Sequence, residues 1–184
     1  MGAVPVPTIE TPRIVLRPFE TLDEQALAAL HAEESFWWFP FRRGWSVAET
    51  AAFLRRVRIG YATGLGMAAI VERESGLLAG WAGLSTPEFL PEVLPAVEIG
   101  WRLGEAFRGH GYATEAASAW LRHGFEQLGL DEILSIYEPE NAASGRVMDR
   151  LGIGPHLDTV HPTFGVPLSV RRIERASWQA NSHA

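Results

Sequence analysis

Phe107-Arg108-Gly109-His110-Gly111-Tyr112-Ala113 is the stretch on which the fold turns. It follows an alternating segment, Val97–Leu103, in which Val97, Ile99, Trp101 and Leu103 share one face and Glu98, Gly100 and Arg102 the other. That alternation predicts a strand. It precedes an apolar stripe at helical spacing, Ala113, Ala117, Trp120, Leu121, Phe125 and Leu128, closed by Gly129, which predicts a helix of about four turns. A helix start carries backbone N–H groups without partners and the positive end of the macrodipole. Glycines let backbone approach an anion closely, and Arg108 adds a cation, so the turn suits a pyrophosphate. A plainer reading asks only for positive φ at Gly109 or Gly111. A dinucleotide fingerprint does not fit, because the third glycine is missing and the preceding 96 residues do not form a first Rossmann strand. A phosphate-binding Gly-Lys-[Ser/Thr] is absent.

Upstream, residues 1–12 carry three prolines and read as an extended arm. Ile14–Pro18 is a first strand. Thr21-Leu22-Asp23-Glu24 reads as a capping box opening a helix with Leu22, Ala26, Leu27 and Leu30, and Ser46-Val47-Ala48-Glu49 as a second, opening a helix with Phe53, Leu54 and Val57 that stops near Gly60. Met67–Glu72 and Leu77–Leu84 flank the turn Glu74-Ser75-Gly76 and read as a hairpin. Downstream follow a strand at Ile133–Tyr137, a short helix at Asn141–Leu151 stopped by Gly152, and strands near His156–Val160 and Leu168–Ile173, with fraying after Trp178. The order predicts an α/β domain with one mixed sheet of about seven strands flanked by four helices. It spans 1–184 as a single unit with a core at about 11–178.

The 184 residues are 47% hydrophobic and 21% charged, which favours one folded domain over disorder. A net charge of −6 argues against nucleic acid as a partner. The absence of cysteine excludes disulfides, thiolate metal sites and a cysteine nucleophile. No apolar run is long enough to span a bilayer, and the first residues lack the basic start and apolar stretch of a signal peptide. Val6 stands where a myristoylation motif at Gly2 needs Ser or Thr. These features predict a cytoplasmic chain without membrane contact. The six histidines show no metal-ligand spacing, so no metal is expected. His110 reads as a solvated turn residue, and His123 falls on the polar side of its helix.

Residues 97–152 resemble the Gcn5-related N-acetyltransferase (GNAT) superfamily, whose turn is written [Arg/Gln]-x-x-Gly-x-[Gly/Ala]; here Arg108, Gly111 and Ala113 fill it. Glu98-Ile99-Gly100-Trp101, Thr114-Glu115-Ala116, Asn141-Ala142-Ala143-Ser144 and Leu151-Gly152 match its flanks, and Ile14–Pro18 matches its usual start. The resemblance covers roughly 11–178 and is greatest to the branch of ribosomal-protein N-terminal acetyltransferases, RimJ and RimL. It implies acetyl-CoA as cosubstrate, held by Trp101, Leu103, Arg108, Gly109, His110, Gly111, Tyr112, Ala113, Asn141 and Ser144. It also implies direct transfer to a small-molecule or peptide amine in a ternary complex.

Such chemistry needs a neutral amine, a polarised thioester carbonyl and a stabilised thiolate. Glu98 is the candidate base, acting directly or through water, with a salt bridge to Arg102 as the alternative. Carbonyl polarisation is implied to come from a backbone N–H near Trp101–Leu103, where the family splays this strand from its neighbour. Many family members place a tyrosine seven residues after the asparagine; here that residue is Met148, which leaves Ser144 as the hydroxyl for the sulfur. Ser144 also reads as a first-turn hydroxyl and Asn141 as a plain N-cap. Residues 36–45 hold three tryptophans and three phenylalanines. Trp37, Trp38, Phe39 and Trp45 are expected to wall the acceptor cleft, to form a dimer contact, or to pack in the core. A non-catalytic acyl-CoA-binding domain, transfer of another acyl group such as succinyl, and an oligomerising module remain as alternatives.

Overall fold

The computed structural model describes residues 5–37 and 39–182, and one eight-stranded sheet organises them. The strands are β1 (Ile9–Glu10), β2 (Ile14–Arg17), β3 (Gly66–Glu72), β4 (Leu78–Ser85), β5 (Glu98–Leu103), β6 (Glu132–Tyr137), β7 (Gly154–Val160) and β8 (Pro167–Glu174). The helices are α1 (Asp23–Ala32), α2 (Val47–Gly60), α3 (Tyr112–Arg122), α4 (Ala142–Leu151) and α5 (Arg175–Ser182). The sheet runs β1-β2-β3-β4-β5-β6-β8-β7. Every neighbouring pair is antiparallel except β5 and β6. The mixed sheet is as expected, with one strand and one helix more. The added strand is the proline-rich arm, whose Ile9 and Glu10 pair with Leu16 and Val15.

The pleat of each strand divides the apolar residues between two layers. Ile14, Leu16, Ala68, Ile70, Ile99, Leu103, Trp120, Leu121 and Met148 form the layer beneath α3 and α4. Phe19, Leu27, Leu30, Phe36, Trp37, Phe53, Leu54 and Trp81 form the one beneath α1 and α2. Trp120 is fully buried. A side chain of its size contributes on the order of 3 kcal/mol by burial, in the layer where α3 packs against β4 and β5.

Three local readings are corrected. The capping box at Thr21 does not form: α1 begins at Asp23, and Leu22 in the cap position gives no side-chain bond and is 88% exposed. The Asp23 carboxylate is instead taken by the Arg17 guanidinium at 2.6 Å and the Glu20 N–H at 2.7 Å. By contrast the Ser46–Glu49 capping box is complete. α3 passes at His123 into a π-helical turn, His123–Gln127. This rotation carries His123 inward, where it is 6% exposed, so it does not lie on the polar side. Past Trp178 the chain stays helical through Ser182, and the Trp178 ring meets Phe125 at 5.2 Å.

Candidate active site

The sheet opens at its centre. β5 and β6 pair only at Glu98 and Leu134, with the Leu134 N–H donating to the Val97 carbonyl at 2.9 Å. The buried Ser135 hydroxyl donates to the Ile99 carbonyl at 3.1 Å, the last link before the strands part. Backbone groups alternate sides along a strand. Odd residues of β5 therefore turn N–H and C=O toward β6, and even residues toward β4. The N–H groups of Trp101 and Leu103 thus face the gap. A cleft of about 850 Å³ occupies it, lined by Glu98, Trp101, Ser144 and Met148 among others.

The turn of residues 108–113 lies at the start of α3. Gly109 and Gly111 have φ of 81° and 84°, so both adopt the left-handed conformation that glycine tolerates. Gly111 occupies the N-cap position and has no side chain to offer, leaving the first N–H groups of α3 uncapped. The turn is braced from behind. Arg13 donates to the His110 carbonyl at 2.6 Å and forms an ion pair with Glu115 at 2.7 Å. The Thr11 hydroxyl donates to Glu115 at 2.6 Å. Burial pushes the Glu115 carboxyl up, but the bonds from Thr11 and Arg13 outweigh it and hold it below its ordinary value. The Tyr112 hydroxyl donates to Glu72 at 2.5 Å, and His110 is exposed, as its reading required. The Arg108 guanidinium does not stand open at the turn. It donates to the carbonyls of Leu103 and Ser35, tying the end of β5 to the segment after α1. Sequence reading singled out the glycines but missed Arg13 and Thr11, which stand some hundred residues away.

Glu98, Gly100 and Arg102 face the α1–α2 side, opposite Ile99 and Leu103. No ion pair joins Glu98 to Arg102 among the described residues. The Arg102 guanidinium lies 4.5 Å from the Trp37 ring centroid and 5.6 Å from that of Trp81. It donates to the carbonyls of Phe36 at 2.8 Å and Phe39 at 2.5 Å. Burial pulls it down to about 10, with repulsion from Arg108 adding to the effect and Glu98 opposing it. Glu98 instead accepts from the hydroxyl of Ser85, its cross-strand partner, at 3.2 Å. Burial raises its carboxyl to about 7, against the lesser pull of Ser85 and Arg102. A carboxyl poised near neutrality in a cleft is suited to accept a proton.

Asn141 is the N-cap of α4, its Oδ1 accepting the Ser144 N–H at 3.1 Å. Met148 is buried in the cleft wall, while Ser144 keeps partial exposure there. The aromatic segment divides its roles. Phe36 is core; Trp37 is buried in the same layer and stacks on Trp45 at 3.5 Å, and both of these tryptophans also line the cleft. Phe39 and Phe41 reach the rim, where their rings meet His161 and Phe164 of the β7–β8 loop at 6.1 and 5.6 Å. Trp38 lies outside the described residues.

His161 also lines the cleft. Its Nδ1 accepts the Thr163 N–H at 3.1 Å, which leaves the ring proton on Nε2, and burial holds its pKa below the ordinary value. Among the described residues no group of histidines and carboxylates is arranged to hold a metal ion, and no helix is long and apolar enough to cross a membrane.

Comparison with known proteins agrees with this architecture. The uncharacterized N-acetyltransferase YnaD of Bacillus subtilis is 43% identical over 56 residues, covering 30% of this chain and 33% of that protein. The chain therefore aligns with about a third of the length of that relative. An acetyltransferase from Agrobacterium tumefaciens superimposes with a TM-score of 0.75 at 28% identity, over 92% of this chain and 95% of that one. The RimL ribosomal L7/L12 α-N-protein acetyltransferase, solved with coenzyme A, shares the fold with a TM-score of 0.77 at 17% identity, over 93% and 99%. Residues 13–153 match the family described as an acetyltransferase (GNAT) domain. Because that match takes in most of the chain, from the brace at Arg13 to the end of α4, the chain belongs to the GNAT acetyltransferase family.

Proposed function

We propose that this protein transfers an acetyl group from acetyl-CoA to an amine by direct attack in a ternary complex, as a cytoplasmic enzyme without a metal. The observation that carries the reading is the parting of β5 from β6 beyond Ile99, beside an uncapped helix start. The pyrophosphate of CoA binds the N–H groups at the start of α3, with Gly109 and Gly111 allowing close approach. The thioester carbonyl lies in the gap, where the N–H groups of Trp101 and Leu103 stabilise the oxyanion. The amine nitrogen attacks the carbonyl carbon from the Glu98 side, and its proton passes to the Glu98 carboxylate, directly or through a water. Collapse of the tetrahedral adduct breaks the C–S bond. The thiolate leaves with the Ser144 hydroxyl as hydrogen-bond donor, in place of the tyrosine that Met148 replaces. YnaD's description as an N-acetyltransferase and the CoA held by RimL support amine and CoA as the partners.

The test joins calorimetry with CoA to thiol release from acetyl-CoA against a panel of amines, amino acids and short peptides. Binding in the micromolar range or tighter is expected, on the order of −8 kcal/mol, together with amine-dependent thiol release. No binding at millimolar CoA ends the reading, and binding without release by any amine reassigns the protein to a non-catalytic acyl-CoA-binding role.

A further inference from the structure

The acceptor side of the cleft holds a second carboxylate that the reaction above does not use. Glu138 follows β6 directly, lines the cleft and is 3% exposed. Its Oε2 accepts from the Arg42 guanidinium at 2.9 Å, while its Oε1 is buried with no hydrogen-bond partner. A buried carboxylate oxygen left bare is among the costlier defects a fold can carry, and such defects persist where a ligand relieves them. Arg42, at φ 51°, is the single non-glycine residue with positive φ among the described residues. That sparsely populated conformation belongs to the aromatic segment that roofs the cleft.

The placement of Glu138 relative to Glu98 follows from the sheet. Glu98 pairs in parallel with Leu134, so the two share a face. Glu138 is four residues further on and has the same parity, hence the same face, about 13 Å along the strand direction. Both carboxylates line the same cleft. The same cleft carries an apolar wall: Phe39, Phe89 and Phe164 cluster around the neutral His161 ring, with Phe89 stacked on it at 5.1 Å.

Resting on the acetyl-transfer reading, we propose that Glu138 binds a hydrogen-bond donor carried by the acceptor at the end remote from its reacting amine. The site thus selects amines with a compact apolar or aromatic body and a second donor group. Arg42 occupies Oε2 and turns Oε1 to the substrate, and the donor completes the carboxylate as the acceptor seats against the rings. Burial raises the Glu138 carboxyl, Arg42 opposes the rise and Glu140 adds to it.

Three probes of one shape test this: 2-phenylethylamine and its 4-hydroxy and 4-methoxy derivatives. The hydroxyl donates, and the methoxy oxygen cannot. The wild-type protein should use the 4-hydroxy amine with a kcat/KM about tenfold or more above the 4-methoxy amine, chiefly through KM. In Glu138→Gln the amide oxygen stays on Arg42, and the NH2 group replaces Oε1. The ratio should then fall to within about twofold of unity or reverse. Equal use by the wild type, or a ratio unchanged in the variant, overturns the proposal. Calorimetry of the same amines with CoA-saturated protein reads the preference without turnover. Donor-dependent binding that Glu138→Gln abolishes, with no thiol released, would sustain the role of Glu138 while refuting transfer. Thiol release without donor preference would do the reverse.

Discussion

Replacing Glu98 by glutamine removes the carboxylate assigned as base while keeping side-chain volume and hydrogen-bonding reach. The wild-type group has its pKa raised by burial from 4.5 to about 7. As a base it works ionised, so the rate should rise with pH through about 7, with roughly a tenth of the groups active at pH 6 and about nine tenths at pH 8. In Glu98→Gln that low-pH limb should vanish and turnover should fall by about 10²–10⁴. CoA affinity should hardly change, because Glu98 and the α3 start lie on different elements. The same raised pKa makes a stability prediction of opposite sign. A carboxyl raised in the fold binds its proton more tightly there than when unfolded, so the fold loses stability as pH rises from about 4.5 to 7. Each pKa unit is about 1.4 kcal/mol, and partial exposure reduces the total, so the ionised group costs at most about 3 kcal/mol. Glu98→Gln should therefore melt higher than wild type at pH 8 and equally at pH 4. A companion variant, Ser85→Ala, removes a donor to the ionised form and should move the rate midpoint upward. The assay is thiol release across pH 6–9 with two amines of different pKa, beside melting curves at pH 4 and 8. A Glu98→Gln profile superimposable on wild type with both amines would refute the base assignment.

Two further outcomes follow from the turn. Gly111→Val places a β-branched side chain at φ 84°, with its Cβ 3.2 Å from the Arg13 guanidinium; it should abolish CoA binding by calorimetry and lower stability by about 1–3 kcal/mol, and unchanged CoA affinity in a folded variant would make the turn purely structural. Glu115→Ala removes the anchor of Arg13 and Thr11, so denaturant unfolding should show a loss of about 1–3 kcal/mol and KM for acetyl-CoA should rise with kcat nearly constant; a kcat effect alone would show that the brace acts elsewhere.

The sequence by itself determined the elements whose causes are local. Alternation in Val97–Leu103, the apolar stripe ending at Gly129, the Ser46–Glu49 capping box and the glycines of the 108–113 turn are each set by neighbours a few residues apart. The structure keeps all of them. Two local signals failed for reasons outside their own windows. The Glu24 carboxylate of the Thr21–Glu24 box accepts from the distant Arg58 guanidinium at 3.2 Å, and His123 lies inward where α3 widens into a π turn.

The site was legible as residue types and not as an arrangement. Glu98 and Arg102 stand two strand repeats apart on one face, which suggested an ion pair. Only the packing of Trp37 and Trp81 against the Arg102 guanidinium, and the carbonyls of Phe36 and Phe39, decided that Arg102 is spent elsewhere. That diversion leaves Glu98 half-buried without a salt bridge, and desolvation raises it to about 7. Arg13 behind the turn, Ser135 at the parting of the strands, and the Arg42–Glu138 pair across the cleft join residues between 36 and 97 positions apart. No periodicity records such distances, since they arise only when the sheet sets its strands side by side and the loops close over them.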